Sequence, residues 1–166
     1  MRSRRGMMAA PVLLTMAAAF AEPPAEHHAT AGSLVIDPTS ELAWMRCSLG
    51  QTPTEIGCQG EAERFNWHAA QAQVDTLSSK ECPWRLPRFH ELRGLLQPNA
   101  GADMAIDSDT FPDTPPGWFW NQVSAGGHSQ QDCFVDFAGE GRTRCNMGGE
   151  FYLRLVMPAK AASRDC

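Results

Sequence analysis

The chain has 166 residues, with 14 lysines and arginines against 19 aspartates and glutamates, which gives a formal net charge of −5. This length suits one domain, and the balance of 43% hydrophobic and 20% charged residues excludes both a disordered acidic chain and a membrane bundle. The acidic charge also argues against a nucleic-acid partner, because phosphate backbones attract basic surfaces.

Residues 1–21 have the three parts of a secretory signal peptide. Residues 2–5 contribute three arginines, residues 7–18 are largely apolar, and residues 19–21 form the small-residue cleavage site Ala-Phe-Ala. The apolar stretch is shorter than the roughly 20 residues that cross a bilayer, which disfavours a membrane-spanning helix. Cleavage would remove three arginines and no acid, leaving 145 residues with a net charge of −8. We therefore expect a periplasmic, secreted or cell-surface protein with no membrane span after cleavage.

Short strands and turns follow. Residues 22–32 are rich in proline and alanine without periodicity, which indicates a flexible leader. Apolar runs at 33–36 and 42–46 predict two strands joined by a turn, and a polar loop follows at 48–63.

Two helices are predicted next. The first begins after Asn66, which can cap it, and its apolar residues have helical spacing: Trp67, Ala70, Val74 and Leu77. The second follows Pro87 and places one set of apolar residues on one side: Phe89, Leu92, Leu95 and Leu96.

Late strands complete the domain. A long ordered loop at 97–117 leads to a strand at 118–123, a hairpin formed by 133–137 and 142–145, and a last strand at 151–157. This order predicts an α+β fold with two helices packed on a small antiparallel sheet, in which the first and last strands are neighbours. The domain covers 33–157, and 158–166 form a C-terminal tail.

Several sequence blocks occur in a fixed order across residues 34–157. They are LAWMRCSLGQ at 42–51, CQG at 58–60, Trp67 with Ala70, WRLP at 84–87 with Glu91 and Leu92, Ile106 with Asp107, FPDT at 111–114, Trp120, VDF at 135–137 and YLRLV at 152–156. Together they resemble the bacterial Lcl C-terminal domain family. The resemblance implies a C-type-lectin-like fold, related more remotely to formylglycine-generating enzymes, and the adhesin that gives the family its name binds sulfated polysaccharides.

The chain departs from the family pattern at the start of the second helix. Arg88 stands where family members usually have a threonine or asparagine, whose side chain would cap the helix. Arginine accepts no hydrogen bond from the helix amides, while Glu91 keeps the other half of a capping box.

Six cysteines follow the signal peptide, and an even count in an exported protein predicts disulfides. Cys133 and Cys145 lie at the ends of the late hairpin. If Phe137 faces Arg142, Cys133 falls opposite Asn146, and a small bulge would bring the two cysteines together.

The other four cysteines are assigned differently. Cys47 and Cys58 bracket the 49–51 loop, and the family pattern carries both, so we expect them to pair. Cys82 is then left for Cys166, which would attach the C-terminal tail near the second helix and close the longest loop.

An aromatic cluster is the first candidate binding site. On a strand, Trp118 and Trp120 point to one face and Phe119 to the other. Either both faces serve the core, or one face exposes an aromatic ring to a sugar or to an apolar side chain of a partner.

A lectin-like triplet is the second candidate. Gln97-Pro98-Asn99 resembles the triplet with which sugar-binding C-type lectins meet calcium and sugar hydroxyls, and Trp120-Asn121 matches half of a second lectin motif. Three aspartates follow the triplet and could supply hard oxygen ligands for calcium: Asp103, Asp107 and Asp109. The alternative is a solvated acidic loop that binds no cofactor.

Charged residues and histidines suggest further roles. The position of Arg85 between Trp84 and Leu86 predicts a buried guanidinium held by carboxylates or carbonyls. Three arginines of the late strands could form a basic stripe: Arg142, Arg144 and Arg154. His68 and His90 are expected on helix surfaces, and no metal-ligand spacing of histidines or cysteines occurs.

These patterns favour a non-enzymatic binding module for an envelope or surface protein or a neutral glycan. A net charge of −8 disfavours sulfated polysaccharides unless basic residues cluster. One alternative is a structural subunit of a surface assembly such as a pilus. Another is a formylglycine-generating-type oxidase, in which Cys133 and Cys145 would have to be free thiols.

Overall fold

The computed structural model describes residues 28–29, 32–98, 103–122, 133–163 and 165–166. The predicted signal peptide at 1–21 lies outside the described residues, as do most of the predicted leader and Asn99. In the described part of the chain, no helix is long and apolar enough to cross a membrane.

The described residues form short strands and two α-helices, as expected for an α+β fold. In chain order they are β1 His28–Ala29, β2 Leu34–Asp37, β3 Leu42–Met45, β4 Thr52–Pro53, β5 Cys58–Gln59, β6 Arg64–Phe65, α1 Trp67–Leu77, α2 Phe89–Arg93, β7 Trp118–Phe119, β8 Cys133–Asp136, β9 Arg142–Cys145, β10 Phe151–Tyr152 and β11 Val156–Pro158, with a 3₁₀ turn at Ala159–Ala161.

The first sheet has the antiparallel order β1-β2-β3-β11. The last strand pairs with β3, in the register Val156 opposite Trp44, and not with β2 as predicted. The reason is that β1 occupies the free edge of β2, with His28 opposite Ile36. Part of the predicted flexible leader is therefore a strand.

The second sheet has the order β6-β10-β7-β8-β9, and β4 and β5 form a separate hairpin within the predicted polar loop. Tyr152 pairs in parallel with Phe119, so this sheet is not purely antiparallel. The single strand predicted at 151–157 is wrong, because the chain passes from one sheet to the other between β10 and β11. There the Leu153 and Leu155 carbonyls accept hydrogen bonds from Leu49 and Met45 N–H groups, at 2.9 and 3.0 Å.

The first helix is as predicted. Asn66 Oδ1 accepts a hydrogen bond from the Ala69 N–H at 3.0 Å and so caps it. The second helix is shorter than predicted: it ends at Arg93 with Gly94 as its C-cap, so Leu95 and Leu96 lie outside it. Its N-terminus has no side-chain cap from Arg88, while Glu91 Oε2 accepts from the Arg88 N–H at 2.7 Å, as expected.

Two apolar clusters form the core, and the second sheet contributes to both. Trp120 and Phe134 belong to one cluster, with Trp118 packed against it, whereas Phe119 and Val135 belong to the other. The predicted alternation of side chains along 118–120 is therefore confirmed. Both faces of this segment are covered by core, since Phe119 and Trp120 are each 0% exposed.

Three disulfides pair the cysteines as predicted: Cys47–Cys58, Cys82–Cys166 and Cys133–Cys145.

The hairpin register, however, differs from the prediction by one residue. Asp136 and not Phe137 faces Arg142, so Cys133 lies directly opposite Cys145 without a bulge. The turn begins early because Asp136 Oδ1 accepts a hydrogen bond from the Ala138 N–H at 2.8 Å, and Gly139 and Gly141 have φ angles of 59° and 78°.

Candidate functional site

The YLRLV block contains a fully buried arginine. Arg154 is 0% exposed, and its Nη1 donates to the carbonyls of Met45 and Arg46, at 3.1 and 2.5 Å. Its Nη2 donates to Ser48 Oγ and Thr114 Oγ1, at 3.2 and 2.8 Å. The guanidinium thus joins the end of β3, the following loop and the FPDT block. Arg154 is not part of a basic surface stripe, which corrects that prediction.

The charge of Arg154 is held without an acid partner. None of the described carboxylates forms a salt bridge with it, and its Cζ lies 4.7 Å from the centroid of the Phe111 ring. Burial lowers the pKa of Arg154 to about 9, which still leaves the guanidinium charged at neutral pH. Among the described residues, its Nε has no hydrogen-bond partner. This centre is enclosed, so its role is to hold segments together.

Other family blocks have the same structural role. Asp113 Oδ2 accepts from the Cys58 N–H at 2.8 Å, and Gln51 Nε2 donates to the Asp113 carbonyl at 2.9 Å. These bonds fix the disulfide-closed loop against the 111–114 block.

Arg85 of the WRLP block forms a two-bond ion pair with Glu91, at 2.8 and 2.9 Å. The carboxylate partner is as predicted, but the Arg85 side chain is 32% exposed, so the guanidinium is not buried. Burial alone would raise the pKa of Glu91, but hydrogen bonds from Arg85 and from the Arg88 N–H, with the charges of both arginines, lower that pKa below 4.5.

The residues of the predicted aromatic site differ in burial: Trp120 and Asn121 are buried, whereas Trp118 is only partly buried. Trp120 and Asn121 are 0% and 1% exposed. Trp120 Nε1 donates to the Phe65 carbonyl at 2.6 Å, and Asn121 Nδ2 donates to the Cys133 carbonyl. Neither side chain is accessible to a ligand, which corrects their assignment as binding residues. The physical reason is that core covers both faces of this segment.

Trp118 is accessible, because it is only partly buried. The Arg142 guanidinium carbon lies 5.7 Å from the centroid of its ring, and Arg142 also pairs with Asp136 at 2.6 Å. Arg142 belongs to β9, the outermost strand of the second sheet, whose four residues are all exposed. A half-exposed indole, a guanidinium above it and an open strand thus occur side by side.

Only part of the lectin-like triplet lies within the described residues. Gln97 is exposed and Asn99 lies outside the described residues. Asp107 accepts hydrogen bonds from the Asp109 N–H and from Thr110 Oγ1, and the Asp103 carbonyl accepts from the Gly139 N–H. Within the described ranges, no three acidic, histidine or cysteine side chains are grouped so that they could hold a metal ion.

A cleft that the sequence analysis missed lies between the β2–β3 turn and α2. Its volume is about 240 Å³, and its polar wall is formed by Asp37, Ser40, His90 and Glu91, with Trp44 among the apolar residues. These residues come from two distant parts of the chain, and although Trp44 and Glu91 belong to family blocks, nothing in those blocks indicates that the two lie together. The turn motif DPTS at 37–40, which precedes Trp44, was the available signal.

A family model of the Lcl C-terminal domain matches residues 33–157, so the chain belongs to that family. No curated protein and no solved structure matches the chain.

Proposed function

We propose that this member of the Lcl C-terminal domain family is an exported, non-enzymatic module that binds an envelope protein or a neutral glycan. The observation that carries the proposal is the Trp118 surface, which we define as Trp118, Arg142 and Arg144, three residues that the strand register places on one face of the second sheet. A partly exposed tryptophan offers an apolar contact that suits both a sugar ring and a protein side chain.

The charges of this surface favour such ligands over sulfated polysaccharides. Of the three arginines in the predicted stripe, Arg154 is buried and Arg142 is paired with Asp136. Only Arg144 remains of the stripe as an exposed arginine without a carboxylate partner among the described residues. One such charge gives little attraction for a polyanion against an acidic chain.

Export is part of the proposal and has two supports. The sequence of residues 1–21 has the pattern of a signal peptide, and three disulfides are typical of proteins that fold in an oxidising compartment. We also propose that the fold is C-type-lectin-like, on the basis of the family and of its two small sheets, two helices and long loops.

The cysteines favour a binding module over an oxidase. The three disulfides use all six cysteines of the chain. An oxidase of the formylglycine-generating type would need free thiols, which Cys133 and Cys145 do not supply while they are bonded to each other.

The proposal is tested by binding to a glycan array and by capture of envelope proteins with purified, oxidised protein. Trp118→Ala should abolish capture of any ligand that wild type retains, whereas Arg93→Ala, on the exposed side of α2, should not. Turnover of a substrate, with no ligand found in either screen, would overturn the proposal. Salt-sensitive retention on heparin near neutral pH would overturn the preference for a protein or neutral glycan.

A subunit of a surface assembly is the second candidate, and one residue favours it. Ile56 is 92% exposed at the tip of the loop between β4 and β5. The loop is held by a hydrogen bond from the Thr54 N–H to the Gly57 carbonyl at 2.8 Å, by Arg46 Nη1 on the Thr54 carbonyl at 2.7 Å, and by the disulfide of Cys58. An apolar side chain presented on a fixed loop suits a protein pocket. Purification in a stoichiometric complex that Ile56→Ser disrupts would favour this candidate.

A further inference from the structure

We infer that the cleft between the β2–β3 turn and α2 is a binding site for a small, uncharged polyhydroxyl ligand such as a single sugar ring. This site is separate from the Trp118 surface and does not depend on the function proposed for that surface. Trp44 packs in the cluster that contains Phe119, whereas Trp118 packs against the other cluster.

The first argument concerns the indole N–H of Trp44. Trp44 is 1% exposed and forms part of the cleft wall, and its Nε1 has no hydrogen-bond partner in the described part of the chain. Buried tryptophans usually find an acceptor for this group, and a buried donor without one destabilises the protein. An acceptor oxygen supplied by a ligand in the cleft would remove that cost.

The second argument is that the Asp37 carboxylate can accept one more hydrogen bond. Asp37 is 9% exposed, and no described lysine or arginine pairs with it. Its oxygens accept from the Thr39 N–H at 2.9 Å, from the Ser40 N–H at 3.3 Å and from Ser40 Oγ at 2.6 Å. A carboxylate has about four acceptor positions, so one remains for a ligand donor.

The opposite wall is fixed in place. Glu91 is held by its two bonds to Arg85, and only one of these reaches Oε1, which leaves that oxygen able to accept again. His90, on the same short helix, is exposed at the cleft and can either donate or accept. The charge of Glu91 is balanced by Arg85, so the cleft does not require a second cation.

The ligand chemistry follows from these groups. In the inferred complex, Trp44 supplies the N–H donor and Asp37 and Glu91 supply carboxylate acceptors, and a hydroxyl group can satisfy both kinds. An ammonium ion would pair with Asp37 but would leave the Trp44 N–H without an acceptor. Leu42 and Leu95 supply apolar wall for the C–H face of a sugar ring. A volume of about 240 Å³ lies below the roughly 300 Å³ of pockets that take drug-sized ligands, which suits one ring.

The test uses full-length processed protein with ¹⁵N-labelled tryptophan, whose five indole N–H signals are observed by NMR. Methyl glycosides of common hexoses and N-acetylhexosamines are titrated at about 1–10 mM, the range expected for a few hydrogen bonds. Trp44→Phe assigns the Trp44 signal. At least one glycoside should shift that signal in a saturable manner, and any shift of the Trp118 signal is read separately, as binding at the Trp118 surface.

Asp37→Asn is the informative variant, because asparagine keeps an oxygen for the backbone N–H groups of the turn. It should weaken glycoside binding about tenfold or more, as expected for the loss of a hydrogen bond to a charged acceptor. Asp75→Asn, at an exposed position of α1, is the matched control and should leave this binding unchanged. Binding at the Trp118 surface is distinguished from it, because that binding would move the Trp118 signal and would not depend on Asp37. The inference is overturned if no glycoside shifts the Trp44 signal, if Asp37→Asn binds as wild type does, or if choline and not a glycoside saturates the site.

Discussion

Replacing Arg154 tests how the family blocks hold the domain together. Arg154→Met keeps a side chain of similar length and removes every donor. The carbonyls of Met45 and Arg46 then lose a charged donor inside the protein. A buried polar group left without its partner costs about 1–3 kcal/mol, so the two carbonyls account for about 2–6 kcal/mol.

Part of this cost is regained, because methionine needs no removal of water from a charge. Burial of an unpaired guanidinium is unfavourable, as the lowered pKa of Arg154 shows. We therefore expect Arg154→Met to lower the free energy of unfolding by about 3 kcal/mol. That is a large part of the 5–15 kcal/mol that stabilises a typical domain.

Arg154→Lys separates charge from geometry. The four bonds leave from two different nitrogens, Nη1 toward the carbonyls and Nη2 toward the hydroxyls of Ser48 and Thr114. A lysine has a single, more strongly hydrated nitrogen and cannot serve both pairs. It should therefore destabilise the protein at least as much as methionine does, although it keeps the positive charge.

Urea unfolding of the oxidised proteins at neutral pH, followed by tryptophan fluorescence, measures both variants. Arg144→Met is the matched control, since Arg144 is exposed on β9, and it should change the free energy of unfolding by less than about 0.5 kcal/mol. If Arg154→Lys unfolds at the wild-type urea concentration, the planar two-nitrogen arrangement is unimportant and the reasoning is wrong.

Three further changes probe other contacts. The pKa of Glu91 is lowered in the folded protein, so its contribution to stability is present above pH 4.5 and is lost as the pH falls through the folded pKa. Glu91→Gln should therefore be about 1–2 kcal/mol less stable than wild type at pH 7. Urea unfolding at decreasing pH should show this difference in free energy of unfolding disappear, and a difference that stays constant would contradict the reasoning. Removing the Cys82–Cys166 disulfide, which spans 84 residues, should lower the free energy of unfolding by about 4–5 kcal/mol. Removing either of the other two, which span 11 and 12 residues, should lower it by about 3 kcal/mol. An equal loss of urea midpoint for all three would contradict the loop-length argument. A Cβ at Gly57 would lie 2.5 Å from Asp113 Oδ2, so Gly57→Ala should lower the thermal midpoint, and an unchanged midpoint would show that this carboxylate moves freely.

Local chemistry predicted the features that depend on neighbouring residues. Asn66 caps α1 because an amide oxygen three residues before the Ala69 N–H can reach it. The hairpin of β8 and β9 was found, but its register was not, because a turn that starts at Asp136 or at Phe137 has almost the same sequence signal. One hydrogen bond from the Ala138 N–H decides between them.

Features that depend on burial were harder to predict. An arginine between two leucines is typical of a strand with one solvent-exposed face. Arg154 nevertheless faces the interior, because hydrogen-bond acceptors from residues 45–48 and 114 surround it. In the same way, alternation placed Trp118 and Trp120 on one side, but it cannot tell that core covers both sides of the strand. The Trp44 cleft was missed because its walls are about fifty residues apart in the chain.

The family blocks and the candidate binding residues therefore occupy different parts of the molecule. The polar side chains of the blocks form hydrogen bonds with other parts of the same chain, as seen for Arg154, Thr114, Asp113 and Gln51. The Arg85 guanidinium likewise pairs with Glu91. A residue whose donors and acceptors are already satisfied has little left to offer a ligand. Membership of the family consequently predicts the framework and not the ligand. Most groups that can still bind a ligand lie outside the blocks, at the Trp118 surface and at Asp37 in the cleft. Two residues of the blocks are exceptions: Trp44, whose indole N–H has no hydrogen-bond partner among the described residues, and Glu91, whose Oε1 can accept a further hydrogen bond. Specificity in this chain is therefore to be sought at those positions.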